Sequence, residues 1–233
     1  MIHIVIQSLY TFRVKPSILH KNTRNSLTII QKSVEKTSNT LFMFILVMIF
    51  DFLDSFFPEN RTRNILLISI ILFPLLMITV NYAVEQSGYP ATFSESQLSF
   101  SGEEIKSHYQ LMTSDQIQMY IFAQLIDYIY LTIYGLLILS TGLFLGRKLS
   151  DSPRIKTYCY FISIAGIISA CCDAVENAFI LSMSSNPLQF NNLLAILHSV
   201  FASLKFGLLS ISISSITIVT IFFIIKRTKS SKQ

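Results

Sequence analysis

The sequence predicts an all-α integral membrane protein: a four-helix transmembrane bundle with an N-terminal interfacial helix and a long outer loop. Three observations predict it. Of 233 residues, 52% are hydrophobic and only 13% charged, whereas soluble domains carry about 25% charged residues. Mean hydropathy is +0.55. Apolar runs long enough to cross a bilayer, which takes roughly 20 residues, recur at residues 64–83, 117–145, 158–183 and 193–225. Each run is continuous. A barrel strand would alternate over about 10 residues, so these are helices, the form in which a chain satisfies its own backbone in lipid.

The chain divides into a cytoplasmic extension (1–63), a transmembrane domain (64–227) and a basic tail (228–233). Residues 11–40 are polar and carry Arg13, Lys15, Lys21, Arg24, Lys32 and Lys36, so they read as a solvated segment. The first residues lack the basic stretch and cleavable apolar run of a signal peptide. The segment 41–57 follows. As a fifth span it would place the basic N-terminus outside, against the positive-inside rule. From Ile49 onward, Ile49, Phe50, Phe52, Leu53, Phe56 and Phe57 fall on one helical side, opposite Asp51, Asp54 and Ser55. That pattern suits a helix lying in the cytoplasmic interface. Met43 and Met48 are alternative starts of the chain.

Pro74 is expected to kink the first span. The connection 84–116 carries Glu85, Glu95, Glu103, Glu104 and Asp115 against the single Lys106. Within it Tyr89-Pro90 reads as a turn. Glu103 to Met112 reads as a short helix capped near Ser101, with Ile105, Tyr109 and Met112 on one side. Ser114 is the expected cap of the second span. The second-to-third connection holds Arg147, Lys148, Arg154 and Lys156. Lys226, Arg227, Lys229 and Lys232 follow the last span. Basic segments face the cytoplasm, which predicts a multi-pass protein of the cell membrane with both termini cytoplasmic. The net charge of +5 is thereby explained without nucleic acid. The bilayer is the expected partner, with a membrane protein or a second copy as a further one.

Charged side chains within a span cost at least ~2.5 kcal/mol each near the centre. Four such residues occur: Asp127, Asp173, Glu176 and Lys205. Counted from the cytoplasmic ends at ~1.5 Å per residue, all reach one layer, roughly 26–32 Å in. Asn81 and Tyr82 of the first span reach it too. Gln124, Asp127 and Tyr128 share a helical side with Gly135, Gly142 and Gly146. Asp173, Glu176 and Asn177 have the i, i+3, i+4 spacing of one face, shared with Gly166 and Ala170. His198, Ala202, Lys205 and Ser212 lie together on the last span. Small residues mark where membrane helices approach, so these charges are expected to face inward, around the third span as packing centre.

The candidate ligand- or ion-binding set is therefore Asp127, Asp173, Glu176, Asn177, Lys205, His198, Gln124 and Tyr128. Three carboxylates meet one ammonium, which calls for a bound proton or cation. Four uses fit such a cluster. Lys205 paired with Asp173 or Asp127 can lock helices together. The cluster can handle a proton, a cation or a small ligand. It can run acid–base chemistry on a lipid-like substrate, with the acids as acid and base and Lys205 placing a negative group. It can hold a metal through His198 and the acids, although one histidine is thin for a transition metal. No cofactor or metal is expected.

Cys159, Cys171 and Cys172 form no paired framework; the adjacent pair reads as small packing residues. Gly142 and Gly146 form a GxxxG packing motif. His108 with Glu103 and Glu104 reads as a solvated face. Asn60-Arg61-Thr62 matches a glycosylation pattern but lies on the expected cytoplasmic side. The layout of four spans with intramembrane acids resembles that of small sterol-isomerase-like membrane proteins, in layout alone. It carries no residue role with it.

Overall fold

The computed structural model describes residues 41 and 44–230. The polar segment expected over 11–40, with the residues before it, and the last residues of the basic tail, 231–233, lie outside the described residues. The chain forms two units, Met1–Phe56 and Phe57–Gln233. In the first, residues 44–56 form helix α1. The Ser55 hydroxyl donates to the Phe52 carbonyl (2.9 Å), and Phe52 stacks on Phe56 at 5.6 Å. Phe44, Val47, Met48, Phe52 and Phe56 are exposed.

The second unit contains α2 (Glu59–Ser87), α3 (Phe93–Gln97), α4 (Gly102–Gln110), α5 (Ser114–Lys148), α6 (Pro153–Ser185) and α7 (Asn192–Ser230). No strand occurs among the described residues. α2, α5, α6 and α7 are each long and apolar enough to cross a membrane. All four extend beyond the apolar runs read from the sequence, because the flanking polar residues continue the helix. α2 runs through Pro74 without a break and ends on Gly88. Gly88 takes the left-handed conformation (φ 62°), and its N–H reaches the Glu85 carbonyl. This position favours glycine, which pays no Cβ penalty there.

The 88–113 connection is an ordered cap. Thr92 and Glu95 form a capping box at α3, and Ser101 caps α4 through the Glu104 N–H. Thr113, not Ser114, caps α5: Gln116 N–H donates to the Thr113 hydroxyl and the Thr113 N–H to Gln116 Oε1. This reciprocal box satisfies two end groups, where a Ser114 cap would satisfy one. Ile105, Tyr109 and Met112 point down onto Tyr120, Ile180, Met183, Phe190 and Ala195. Tyr89 stacks on Tyr120 with ring centroids 4.5 Å apart, and the Tyr109 hydroxyl meets the Ser184 hydroxyl at 2.8 Å. Burial pushes the Tyr89 hydroxyl up to about 12. Phe100 adopts φ 52°, and its N–H donates to the Ser199 hydroxyl on α7.

The long helices pack in series: α2 on α5, α5 on α6, α6 on α7. α5 also touches α7, whereas α2 and α7 make no extended contact. The packing centre is therefore α5 at least as much as the third span, because α5 alone meets the other three. In their most apolar stretches α5 and α6 bury 56% and 50% of residues, against 11% for α2 and 17% for α7. α5 and α6 approach closely because a Cβ on Gly142 would meet Ser163 and the Cys159 carbonyl, and one on Gly146 would meet Cys159 and Tyr160. The GxxxG pair thus serves packing inside the chain. Arg147 bonds the Thr62 hydroxyl (2.7 Å) and the Phe57 carbonyl, tying α5 to the start of α2. Lys226 meets Asp151 at 2.8 Å.

Candidate functional site

The i, i+3, i+4 spacing on α6 puts Asp173, Glu176 and Asn177 on one buried face. All three are at most 4% exposed. Asp173 and Glu176 face α7, where Lys205 lies between them. Lys205 Nζ stands 3.0 Å from Asp173 Oδ1 and 2.6 Å from Glu176 Oε2. The first contact has hydrogen-bond geometry; the second is an ion pair without it. The Tyr134 hydroxyl of α5 donates to Asp173 Oδ2 at 3.0 Å. Ser169 donates to the Lys205 carbonyl at 3.1 Å. One ammonium is thus shared by two carboxylates, and the phenol fills the remaining oxygen of Asp173.

His198, one helical stretch nearer the cap on α7, is also buried. Its Nε2 lies 3.7 Å from Glu176 Oε1, beyond hydrogen-bond reach. Both His198 nitrogens and Glu176 Oε1 are buried without a hydrogen-bond partner among the described residues. Among those residues no three His, Cys, Asp or Glu side chains converge as a metal would require.

Asp127 belongs to a different part of the site. Its Oδ2 accepts from the Asn177 amide at 2.6 Å, and its Oδ1 has no partner among the described residues. Lys205 therefore pairs with Asp173 and Glu176, not with Asp127. Asp127 opens onto a cavity of about 580 Å³ framed by α2, α5 and α7. The volume lies within the range of pockets that hold a small ligand, about 300–1,000 Å³. The cavity exists because α2 and α7 flank α5 without packing on each other.

The cavity is graded along its length. Asn81, Gln97, Gln124 and Asp127 line its cap end, followed by Asp173, Lys205 and Tyr134. Phe73, Leu137, Ile138, Leu209, Ile213 and Ile216 line the rest. From Gln124 to Thr141 this wall runs about 25 Å along α5. Thr141 and Thr217 also line the apolar end, but their hydroxyls bond back to the carbonyls of Leu137 and Ile213. They add no free polar group there.

The expected residues thus divide into three groups. Asp127, Gln124, Asp173 and Lys205 line the cavity. Glu176, Asn177 and His198 stand behind it and do not line it. Tyr128 leaves the site: its hydroxyl donates to the Ala174 carbonyl at 2.9 Å, and it does not reach the cavity. Tyr134 takes the place expected of Tyr128. It lies seven residues beyond Asp127, two helical turns along the same side, a signal present in the sequence. Gln97 had no such signal, because it arrives from the connection through tertiary folding. Comparison with known proteins finds no family, no curated protein and no solved structure that matches this chain.

Proposed function

We propose that this is a multi-pass protein of the cell membrane that binds a small amphiphilic molecule entering sideways between α2 and α7. The four long helices span the bilayer with both termini cytoplasmic, α1 lies in the cytoplasmic interface, and the 88–113 cap lies outside. Charge placement supports the orientation. Arg61, Arg63, Arg147, Lys148, Arg154, Lys156, Lys226 and Arg227 sit at one end of the long helices, and Glu85, Glu95, Glu103, Glu104 and Asp115 at or near the other. The exposed faces of α2 and α7 are those that lipid, or a neighbouring membrane protein, would cover.

One observation carries the ligand reading. The cavity is polar at the cap end, apolar along the remainder, and flanked by two helices that make no extended contact with each other. A molecule with a polar head and an apolar body matches that gradient. A purely structural ion cluster would need no such space beside it. Photolabelling tests the reading. A long-chain alcohol with a photoactivatable group in its chain should label Phe73, Leu137, Ile138 and Leu209 saturably in nanodiscs. Non-saturable labelling confined to outward residues such as Ile71 and Ile218, exposed by 63% and 67%, would sink it.

A second reading, acid–base chemistry on the bound molecule, is favoured by one feature. The unengaged oxygen of Asp127 lines the same cavity as the Tyr134–Asp173–Lys205 network. A carboxylate with an oxygen free to take a proton, beside a phenol already donating to a second carboxylate, is the kind of part such chemistry uses.

A further inference from the structure

We infer that the molecule bound here carries a neutral, hydroxyl-bearing head of the glycerol type, read by Asn81, Gln97, Gln124 and Asp127. The inference rests on the amphiphile reading above and specifies its ligand.

Gln97 and Gln124 are 7% and 2% exposed, and neither amide is among the side-chain atoms sealed off without a partner, so what surface each keeps is turned to the cavity they line. With no hydrogen bond to a described residue, each amide is available to a ligand there. Both side chains line the cavity at its cap end. Asn81 of α2 lines the same end, and so does the Asp127 carboxylate with its one unengaged oxygen. Three elements, α2, α3 and α5, thus bring three carboxamides and one carboxylate to a single place. Asp173, Lys205 and Tyr134 come next, and the apolar walls begin beyond them.

The donor and acceptor inventory selects the head. Each carboxamide offers two N–H donors and one accepting oxygen, and Asp127 offers acceptance. Hydroxyls both donate and accept, so a head with more than one can answer the amides and the carboxylate together. An ammonium would answer Asp127 and the amide oxygens, but because it only donates it would leave the amide N–H groups without acceptors. A phosphate or carboxylate head would meet the charge of Asp127. Lys205 does not offset that, because its ammonium is already held between Asp173 and Glu176. The cavity's length along α5 suits an extended acyl chain attached to such a head.

The test is competition against the photoactivatable alcohol in nanodiscs holding the full chain. Three probes share one chain length: monolauroylglycerol, laurylamine and lauroyl-lysophosphatidic acid. Monolauroylglycerol should compete at least about tenfold better than the other two. Gln97→Leu should weaken it about tenfold more than it weakens laurylamine, and alcohol at saturating concentration should still label the cavity. Gln97 lies in the cap, outside the long helices, and retained labelling reports that the pocket has folded. Equal or better competition by the amine or the phosphate overturns the head-group inference and leaves the amphiphile reading standing. So does wild-type competition by monolauroylglycerol in Gln97→Leu. Failure to label the cavity in the wild-type chain overturns both.

Discussion

Two lysines in this molecule make nearly the same set of contacts in opposite surroundings. In the cap, Lys106 reaches Glu103 at 3.2 Å and the Asn192 side chain at 2.8 Å, with Glu103 77% exposed. Between α6 and α7, Lys205 reaches Asp173 and Glu176 at 3.0 and 2.6 Å, with every partner at most 6% exposed. The geometry is alike and the energetics are not. Water screens the first group and can replace any partner that leaves. The second is almost wholly shielded from bulk solvent, so each partner depends on the others. A polar contact is worth little or much according to what would solvate its members if it broke.

Lys205→Met breaks the buried group most directly. It leaves Asp173 and Glu176 buried without their cation, and stability should fall by about 3–5 kcal/mol. Denaturant unfolding of the purified chain in mixed micelles measures this. A loss under about 1 kcal/mol would mean that the carboxylates find other compensation, and the contrast with the cap would collapse. Tyr134→Phe sharpens the contrast without removing a charge. It deletes the hydrogen bond to Asp173 Oδ2 and should cost about 1–2 kcal/mol in the same assay. A neutral outcome would mean that Tyr134 contributes packing alone.

The smallest effect is expected in the cap. The Asn192 amide and Lys106 hold the Glu103 carboxyl below its ordinary value of 4.5, and the Thr92 side chain and N–H hold Glu95 low in the same way. A carboxyl lowered on folding stabilises fully above its unfolded value, and the contribution is lost as pH falls through the lowered one. The cap should therefore keep full protection at neutral pH and loosen only in acid, below the usual carboxylate range. Hydrogen exchange across residues 92–110 at stepped pH reads this locally. Lys106→Met should reproduce part of the loosening at neutral pH without a measurable change in global unfolding. Global destabilisation by Lys106→Met would erase the distinction between the two lysines.

Much of the architecture was legible before any fold was known, for identifiable reasons. The four long helices follow from runs of apolar residues that need no partner to be recognised. The inward face of α6 follows from the spacing of Asp173, Glu176 and Asn177, because a helix repeats every 3.6 residues. Lys205 was placed level with Asp173 and Glu176 by counting rise along α7, and His198 on the same face by helical period. Partner choice was not legible. Rise and period locate a residue on a cylinder, but not the rotation of one cylinder against its neighbour. Hence Lys205 was equally open to Asp127 and Asp173, and Tyr128 was as good a candidate as Tyr134. The α5 cap was misread by one position because the Thr113–Gln116 reciprocity was overlooked.

By itself, then, the sequence determined the four long helices, their apolar character and the shared level of their ionisable groups along the helix axes, since each is a local property of the chain. Only the tertiary structure decided that α2 and α7 both pack on α5 without extended contact with each other, that Gln97 joins the cavity from the cap, and that Asp127 lines the cavity while Asp173 and Glu176 share the lysine. Those outcomes depend on which surfaces meet. Close approach at Gly142 and Gly146 draws α6 onto one side of α5, and the cavity is what the remaining helices leave uncovered on another.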